Sequence, residues 1–349
     1  MRMATPEDKD LPTYDHTKLS NICVCPTWGI IRYTHHKKMP STRREMPLEA
    51  GSLSHEGFAS VRWYQYYNKQ VQNKTQALNA EFHGIRLFGE ERFKRMRDTL
   101  FDGATDRTNT INFAIEAIES FGFYDDLEDN RRTISNISES MIAYVDGYNM
   151  DRYPIWVRDV DDPETDIGIE IAFDVVVDLE YELNDAVANK HVRFTGKLDG
   201  LHYDKENLLI IEEKSGSRLD EAWLSQWVLS HQITGYCLAA STFTGLPCTS
   251  ALVSGMRIPI GRVPAEGIRK EKVPRNQVLF EKWANWFITT INVEQQWKDD
   301  ILNAPMYTNS CNRYFRSCSF LPLCASDNLE EKEAILEELE TDEWSPLHE

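Results

Sequence analysis

From Gly196 to Lys214 the chain reads GKLDGLHYDKENLLIIEEK, and this stretch constrains the fold more than any other. Two strand-like runs flank a polar turn, Tyr203 to Asn207, so the segment is expected to close as a hairpin. The second run is the aliphatic Leu208 to Ile211, which delivers Glu212, Glu213 and Lys214 in succession. Side chains alternate faces along a strand, so Glu212 and Lys214 share one face and Glu213 takes the other. The hairpin can bring Asp199, Glu212 and Lys214 together. Two carboxylates beside an ammonium suit a hard divalent cation and a water attacking a phosphodiester. Such cations take oxygen ligands, polarise the phosphoryl oxygen and lower the pKa of bound water. The same charges would also serve as the solvated end of an ordinary exposed hairpin, and the rest of the chain has to separate the two.

Residues 222–240, AWLSQWVLSHQITGYCLAA, carry apolar side chains at helical spacing through Trp223, Trp227, Ile233, Tyr236 and Ala240. Gln232 and Tyr236 are four apart and therefore neighbours on one helix face. With Gly196/Asp199, Glu212/Lys214 and Gln232/Tyr236 in this order, the chain resembles the PD-(D/E)XK nuclease superfamily. Within it the resemblance is to the RecB-like exonuclease branch. There a G-x-x-D element, a D/E-x-K element and a Q-x-x-x-Y helix follow one another at similar intervals. The resemblance implies an α/β fold, a central mixed β-sheet flanked by helices (a restriction-endonuclease-like core) with an N-terminal helical subdomain. It also implies a Mg²⁺- or Mn²⁺-dependent DNA exonuclease that hydrolyses phosphodiester bonds in recombination, repair or phage DNA metabolism. Asp199 and Glu212 would hold metal, and Lys214 would orient or activate the attacking water and stabilise the developing charge. Gln232 and Tyr236 would position the scissile phosphate or Lys214. The same branch carries a metal-binding histidine in a G-x-x-x-H element, matched by Gly51-Ser-Leu-Ser-His55 ahead of a helical stretch from Glu56 to Gln72. His55 is therefore the expected third metal ligand, whereas His35, His36 and His83 have no such setting. A non-catalytic subunit that binds DNA ends through the same fold is the alternative.

The cysteines are Cys23, Cys25, Cys237, Cys248, Cys311, Cys318 and Cys324. No apolar leader opens the chain and the count is odd, which argues against a disulfide framework. Cys237 and Cys248 read as small core hydrophobes. The others stand at the two ends, in LSNICVCPTWGIIRY and CNRYFRSCSFLPLC. One amino-terminal and three carboxy-terminal cysteines are the iron–sulfur arrangement of AddB-type, CRISPR-associated and phage exonucleases. That resemblance implies a 4Fe-4S cluster on Cys25, Cys311, Cys318 and Cys324, with Cys23 the competitor for the first place. Tetrahedral Cys₄ coordination suits structural zinc equally well. Either would clasp the start of the chain to its end.

A chain of 349 residues with 41% apolar content can bury a sizeable core, in one elaborated domain or two. The net charge of −18 is unusual for a protein that handles DNA, but Asp327 to Glu349 contains ten acidic residues against one lysine, half of the excess. This tail has helical potential, with Leu329, Ile335, Leu336 and Leu339 on a narrow stripe. It reads as a solvated helix, or as an acidic tail that docks a protein partner or mimics DNA. Basic residues gather at Arg92, Lys94, Arg95 and Arg97, and again at Arg257, Arg262, Arg269, Lys270, Lys272 and Arg275. Either group could track a phosphate backbone of single-stranded DNA or DNA ends. No G-x-x-x-x-G-K-[ST] motif is present, so no ATP-driven motor is encoded. No run reaches the roughly 18–20 apolar residues of a membrane span, and a cytoplasmic setting, bacterial or phage-infected, is expected. The expected organisation is 1–50 with the first cluster cysteine, 51–165 helical and carrying His55, 166–300 the nuclease core, 301–326 the cysteine segment and 327–349 the acidic tail. Pro40 and Pro47 are expected to mark loops. Glu170 is open between an active-site carboxylate and a solvent-facing strand residue.

Overall fold

A computed structural model describes residues 1–40, 46–126, 129–147, 153–183, 186–259, 267–313 and 316–342. Short strands β1 (Arg2–Met3) and β2 (Thr13–Tyr14) precede helices α1 (His16–Val24) and α2 (Pro26–Tyr33) and strand β3 (Lys37–Lys38). A helical run follows, made of α3 (Met46–Lys69), α4 (Lys74–Phe88), α5 (Glu90–Asp98), α6 (Asp106–Glu119) and α7 (Ile134–Gly147). Long strands β4 (Ile169–Leu183), β5 (Ala186–Asp204) and β6 (Asn207–Gly216) come next. Helices α8 (Glu221–Val228) and α9 (His231–Thr244) lead to β7 (Cys248–Arg257) and β8 (Ile268–Pro274). Beyond these lie α10 (Gln277–Trp297), β9 (Asn312–Arg313), β10 (Arg316–Ser317), α11 (Leu321–Ala325), α12 (Leu329–Glu337) and β11 (Glu340–Thr341). No helix among the described residues is long and apolar enough to cross a membrane.

The chain gathers into two compact units, each assembled from separated stretches. One comprises Met1–Arg44, Asp174–Gly196 and Gln277–Glu349; the other comprises Glu45–Phe173 and Lys197–Asn276. Strands β4 and β5 therefore contribute residues to both.

In the second unit, β5 and β6 pair antiparallel from Gly200 opposite Ile211 to Asp204 opposite Asn207. Lys205, at φ 61°, turns the hairpin in the left-handed region. Strand β7 runs parallel to β6 and antiparallel to β8, so the sheet is mixed, with helices α8 and α9 forming the crossover between the parallel strands. Leu208 to Ile211 are all buried, the continuous apolar run of a strand covered on both faces. Helices α3, α6 and α7 form a core in which Phe58, Ile118, Met141 and Tyr144 meet Met256 of β7. Gly57 permits the close approach, since a Cβ there would collide with Met141 and Ile118. A second core is aromatic, with Trp63 stacked on Phe113 at 5.0 Å between ring centres. Pro47, expected in a loop, instead lies in the first turn of α3, where the missing amide hydrogen would have had no partner anyway.

In the first unit, β1 pairs antiparallel with β4 and β2 pairs parallel with β5. The Glu294 carboxylate of α10 binds Lys18 at 2.8 Å and the Thr34 hydroxyl at 2.6 Å, and also accepts from Tyr14. The tail helix is largely solvated, but it is anchored along one edge. Ile335, Leu336 and Leu339 pack with Ile31, Phe320 and Leu323, and β11 pairs with β3. Arg32 then binds Asp342 at 2.5 Å, so the two ends of the chain share one core. Residues from 343 onward lie outside the described residues.

Candidate active site

The β5–β6 hairpin sets the site by its pleat. Asp199 stands on β5 and Glu212 and Lys214 on β6, with Lys214 Nζ 2.5 Å from Glu212 Oε1. The Glu213 amide donates to Asp199 Oδ2 at 2.7 Å, which locks the aspartate against the neighbouring strand. Helix α3 delivers His55, whose Nδ1 is 3.5 Å from Asp199 Oδ1. The solvent-facing alternative for Glu170 is set aside, because its side chain is only 8% exposed and its Oε1 is 4.0 Å from His55 Nδ1. Its other oxygen binds Lys197 at 3.1 Å.

Behind this face lies a buried ion pair. Glu213 points away from Glu212, as the alternation requires, and is bound by Arg62 and by the Tyr144 hydroxyl. Arg62 also donates to the Asp199 carbonyl. Both charged side chains are fully buried. Arg62 is seven residues beyond His55, two helical turns along the same face of α3, so one helix supplies the histidine and the arginine that ties down both catalytic strands. That spacing was the available sequence signal for Arg62, but nothing local identified its partner.

Charge is tightly managed. Burial works against the charged form of His55, but the Asp199 charge and the Glu170 carboxylate outweigh it and hold the imidazole above its usual range. Burial pushes the Glu212 carboxyl up, opposed by Lys214. Lys214 is itself held well above the ordinary lysine range, since Glu212 and Asp199 overcome the burial of its ammonium. Burial also raises Tyr236.

The donor set fits a divalent cation. Glu170 Oε1 and Glu212 Oε2 are buried with no hydrogen-bond partner, and Glu212 Oε1 has only the Lys214 ion pair. Buried carboxylate oxygens are rarely left so, and hard cations prefer oxygen donors. Ligand atoms of His55, Glu170 and Asp199 lie within 4.8 Å of one another. Glu212 is outside that group, although it was expected beside His55 and Asp199; Glu170 stands there instead.

Residues 222–240 do not form the continuous helix their spacing suggests. The chain breaks at Leu229–Ser230 because the Ser230 side chain caps α9 and the buried Arg275 takes the carbonyls of Trp227, Val228 and Ser230. Gln232 and Tyr236 both remain on α9, with Gln232 Nε2 3.4 Å from the Tyr236 hydroxyl. That use of Arg275 also removes it from the basic surface. Arg269 binds Glu221 and the Leu219 carbonyl, and Lys272 binds Asp204, so this segment spends much of its charge internally. Arg262 lies outside the described residues. In the other basic group Arg92 binds Glu56 at 2.9 Å and Arg97 binds Glu81 at 3.3 Å, while Lys94 and Arg95 are exposed.

Cys237 and Cys248 are buried. Cys23 Sγ meets Thr290 Oγ1 at 3.1 Å and the Trp286 indole at 2.9 Å. Cys25 is buried where α1 meets α2, and burial, with the Cys25 charge after it, raises the Cys318 thiol. The Cys318 amide donates to the Cys311 carbonyl at 2.8 Å. Burial first, then the charges of Cys25, Cys318 and Cys311, pushes Cys324 up to about 11. Among the described residues the sulfurs form no group as tight as His55, Glu170 and Asp199.

No curated protein matches the chain. Among solved structures, "Crystal structure of SSO0001" is similar over 73% of this chain and 90% of its own, at 11% identity and a TM-score of 0.27. The sequence profile of one family matches residues 17–325, a span that includes every catalytic-motif residue described above, and on that match the chain belongs to the PD-(D/E)XK nuclease superfamily.

Proposed function

We propose that the protein is a metal-dependent DNA exonuclease of the RecB-like branch, acting on single strands or DNA ends in recombination, repair or phage DNA metabolism. The observation that carries this is the grouping of His55, Asp199 and Glu170 within 4.8 Å, with Glu212 and Lys214 on the strand paired to that of Asp199, around buried Glu170 and Glu212 oxygens that lack hydrogen-bond donors. His55, Asp199 and Glu212 would hold Mg²⁺ or Mn²⁺. A bound divalent ion would polarise the phosphate and lower the pKa of its water. Lys214, kept as an ammonium by its two carboxylate neighbours, donates hydrogen bonds to the attacking water or to a phosphate oxygen as negative charge grows there. Tyr236, kept protonated by burial, is available as a donor, and Gln232 sets its hydroxyl. Together they orient the scissile phosphate or the lysine.

The same reading places a 4Fe-4S cluster on Cys25, Cys311, Cys318 and Cys324. The resemblance carries this set, and the commitment of Cys23 to Thr290 and Trp286 supports Cys25 as its first member. Structural zinc on the same four thiolates is the alternative, and the resemblance alone favours iron and sulfide. The acidic segment after Asp327 would be the docking surface for a protein partner.

The test uses anaerobically purified protein and single-stranded DNA labelled at either end, with Mn²⁺ or Mg²⁺ against EDTA. Metal-dependent degradation that Lys214→Ala abolishes is the expected result, and the labels report polarity. DNA binding without cleavage under any metal would overturn it in favour of a non-catalytic DNA-end-binding subunit.

A further inference from the structure

Helix α8 follows Lys214 in the chain and has no part in the chemistry of that lysine. It has eight residues and buries none of them, although two are tryptophans. A helix this short is marginal by propensity alone, and one that buries no side chain gains little from packing. It is pinned at its ends instead. The Trp223 amide donates to the Asp220 cap at 3.0 Å. Arg269 donates to the Leu219 carbonyl at 2.9 Å ahead of the helix, and Arg275 to the Trp227 carbonyl at 2.8 Å in its last turn. These contacts fix where the tryptophans stand without covering them. The strand ladder then places Trp223. Lys214 of β6 is opposite Gly255 of β7, and directly opposed residues on neighbouring strands, about 4.8 Å apart, share a face. A Cβ on Gly255 would come within 2.7 Å of the Trp223 ring. The bare glycine therefore seats the indole on the same face as Lys214, one strand away. Trp227 packs against it at 5.7 Å between ring centres and 72° between planes, and both tryptophans are half-buried.

We propose that Trp223 is the stacking platform for one unpaired base of the strand being cut, the base beside the phosphate that Lys214 meets. The inference rests on the nuclease reading of the site and adds to it the residue that selects single strands. Every base offers a π-face once it is unpaired, so an indole takes any of the four and reads strandedness rather than sequence. A paired base inside a duplex is already stacked on both sides and cannot lie on the ring. The local charge suits a polyanion even in a chain of net charge −18. The one charged side chain of α8, Glu221, is bound by Arg269, and Arg218 stands exposed in the turn between Lys214 and the helix. A phosphate at the lysine and a base on the indole would hold a nucleotide at two points, which fixes the scissile bond against the attacking water.

Binding of the full chain to a fluorescein-labelled oligothymidylate in EDTA, so that metal plays no part, tests this by anisotropy. Trp223→Ala and Trp223→Leu are each expected to weaken binding by about tenfold or more, and Trp223→Phe by no more than about threefold. Leucine keeps an apolar cover over Gly255 but has no π-face, so it separates stacking from packing and gives the readout if the alanine variant folds poorly. An all-abasic strand of the same length keeps every phosphate and loses every base. The wild type should prefer the oligothymidylate to it, and in Trp223→Leu that preference should narrow by the factor lost on the oligothymidylate. Blunt duplex should bind the leucine variant as it binds the wild type. Wild-type affinity of Trp223→Leu for the oligothymidylate, or equal losses on the oligothymidylate, the abasic strand and the duplex, overturns the proposal. Metal-dependent cleavage by the wild type would then leave the nuclease reading intact. Base-dependent binding through Trp223 without cleavage under any metal would overturn the nuclease reading and keep the stacking site.

Discussion

Arg62→Met is the most informative single change to the scaffold of the site. Arg62 and Glu213 are both fully buried, and the arginine also holds the Asp199 carbonyl. Methionine has similar length and no charge, so it fills the space but leaves Glu213 with the Tyr144 hydroxyl alone. Removing one partner of a buried ion pair costs about 3–5 kcal/mol, because the survivor stays desolvated and uncompensated. Freeing the Asp199 carbonyl adds to this, so the expected loss lies at the upper end, about 5 kcal/mol. The double variant Arg62→Met/Glu213→Gln removes the orphaned charge while the amide can still accept from Tyr144. It should therefore recover about 2–3 kcal/mol relative to the sum of the single variants. Urea unfolding of the four proteins, followed by tryptophan fluorescence and compared at constant m, gives the cycle. A single-variant cost below about 1 kcal/mol, or additivity within about 0.5 kcal/mol, would refute the coupling.

Stability should also fall as the solution is acidified from neutrality. His202 Nδ1 donates to the Tyr153 carbonyl at 2.7 Å, and His83 Nε2 donates to Ile169 while its Nδ1 accepts from Arg86, so both rings are neutral in the fold. Burial lowers each to about 3, so the unfolded chain binds the extra protons first and stability is lost between about pH 6.5 and pH 3. The loss should reach about 2 kcal/mol per histidine at pH 5, and His202→Asn should flatten the urea-unfolding profile over that window unless the ring is charged in the fold. Lys214→Ala should abolish cleavage and leave the far-UV spectrum native-like, with a lowered urea midpoint because the buried Glu212 carboxylate loses its ion-pair partner; unfolding of that variant would remove it as a catalytic probe. Cys318→Ser should eliminate absorbance near 400 nm and lower the thermal midpoint of anaerobic protein. An unchanged spectrum would exclude Cys318 as a cluster ligand.

What the sequence alone determined is what depends on local periodicity. A strand repeats every two residues, so Glu212 and Lys214 had to share a face that Glu213 does not, and the structure has this arrangement. A helix repeats near four, so Gln232 and Tyr236 are neighbours even though the helix expected around them is broken. The tertiary structure decided whatever depends on a partner distant along the chain. Arg62 meets the Asp199 carbonyl across 137 positions, and the helix ends at Leu229 partly because Arg275 arrives from 45 positions beyond Ser230. The tail helix, largely solvated as its composition suggests, is anchored along one edge because Ile31 and Phe320 reach it. Glu170 was open between an active-site carboxylate and a solvent-facing residue until folding placed its bare oxygen beside His55 and Asp199. Periodicity states which way a side chain points from its own backbone. What it points at is set by packing between elements, and that is a property of the whole chain.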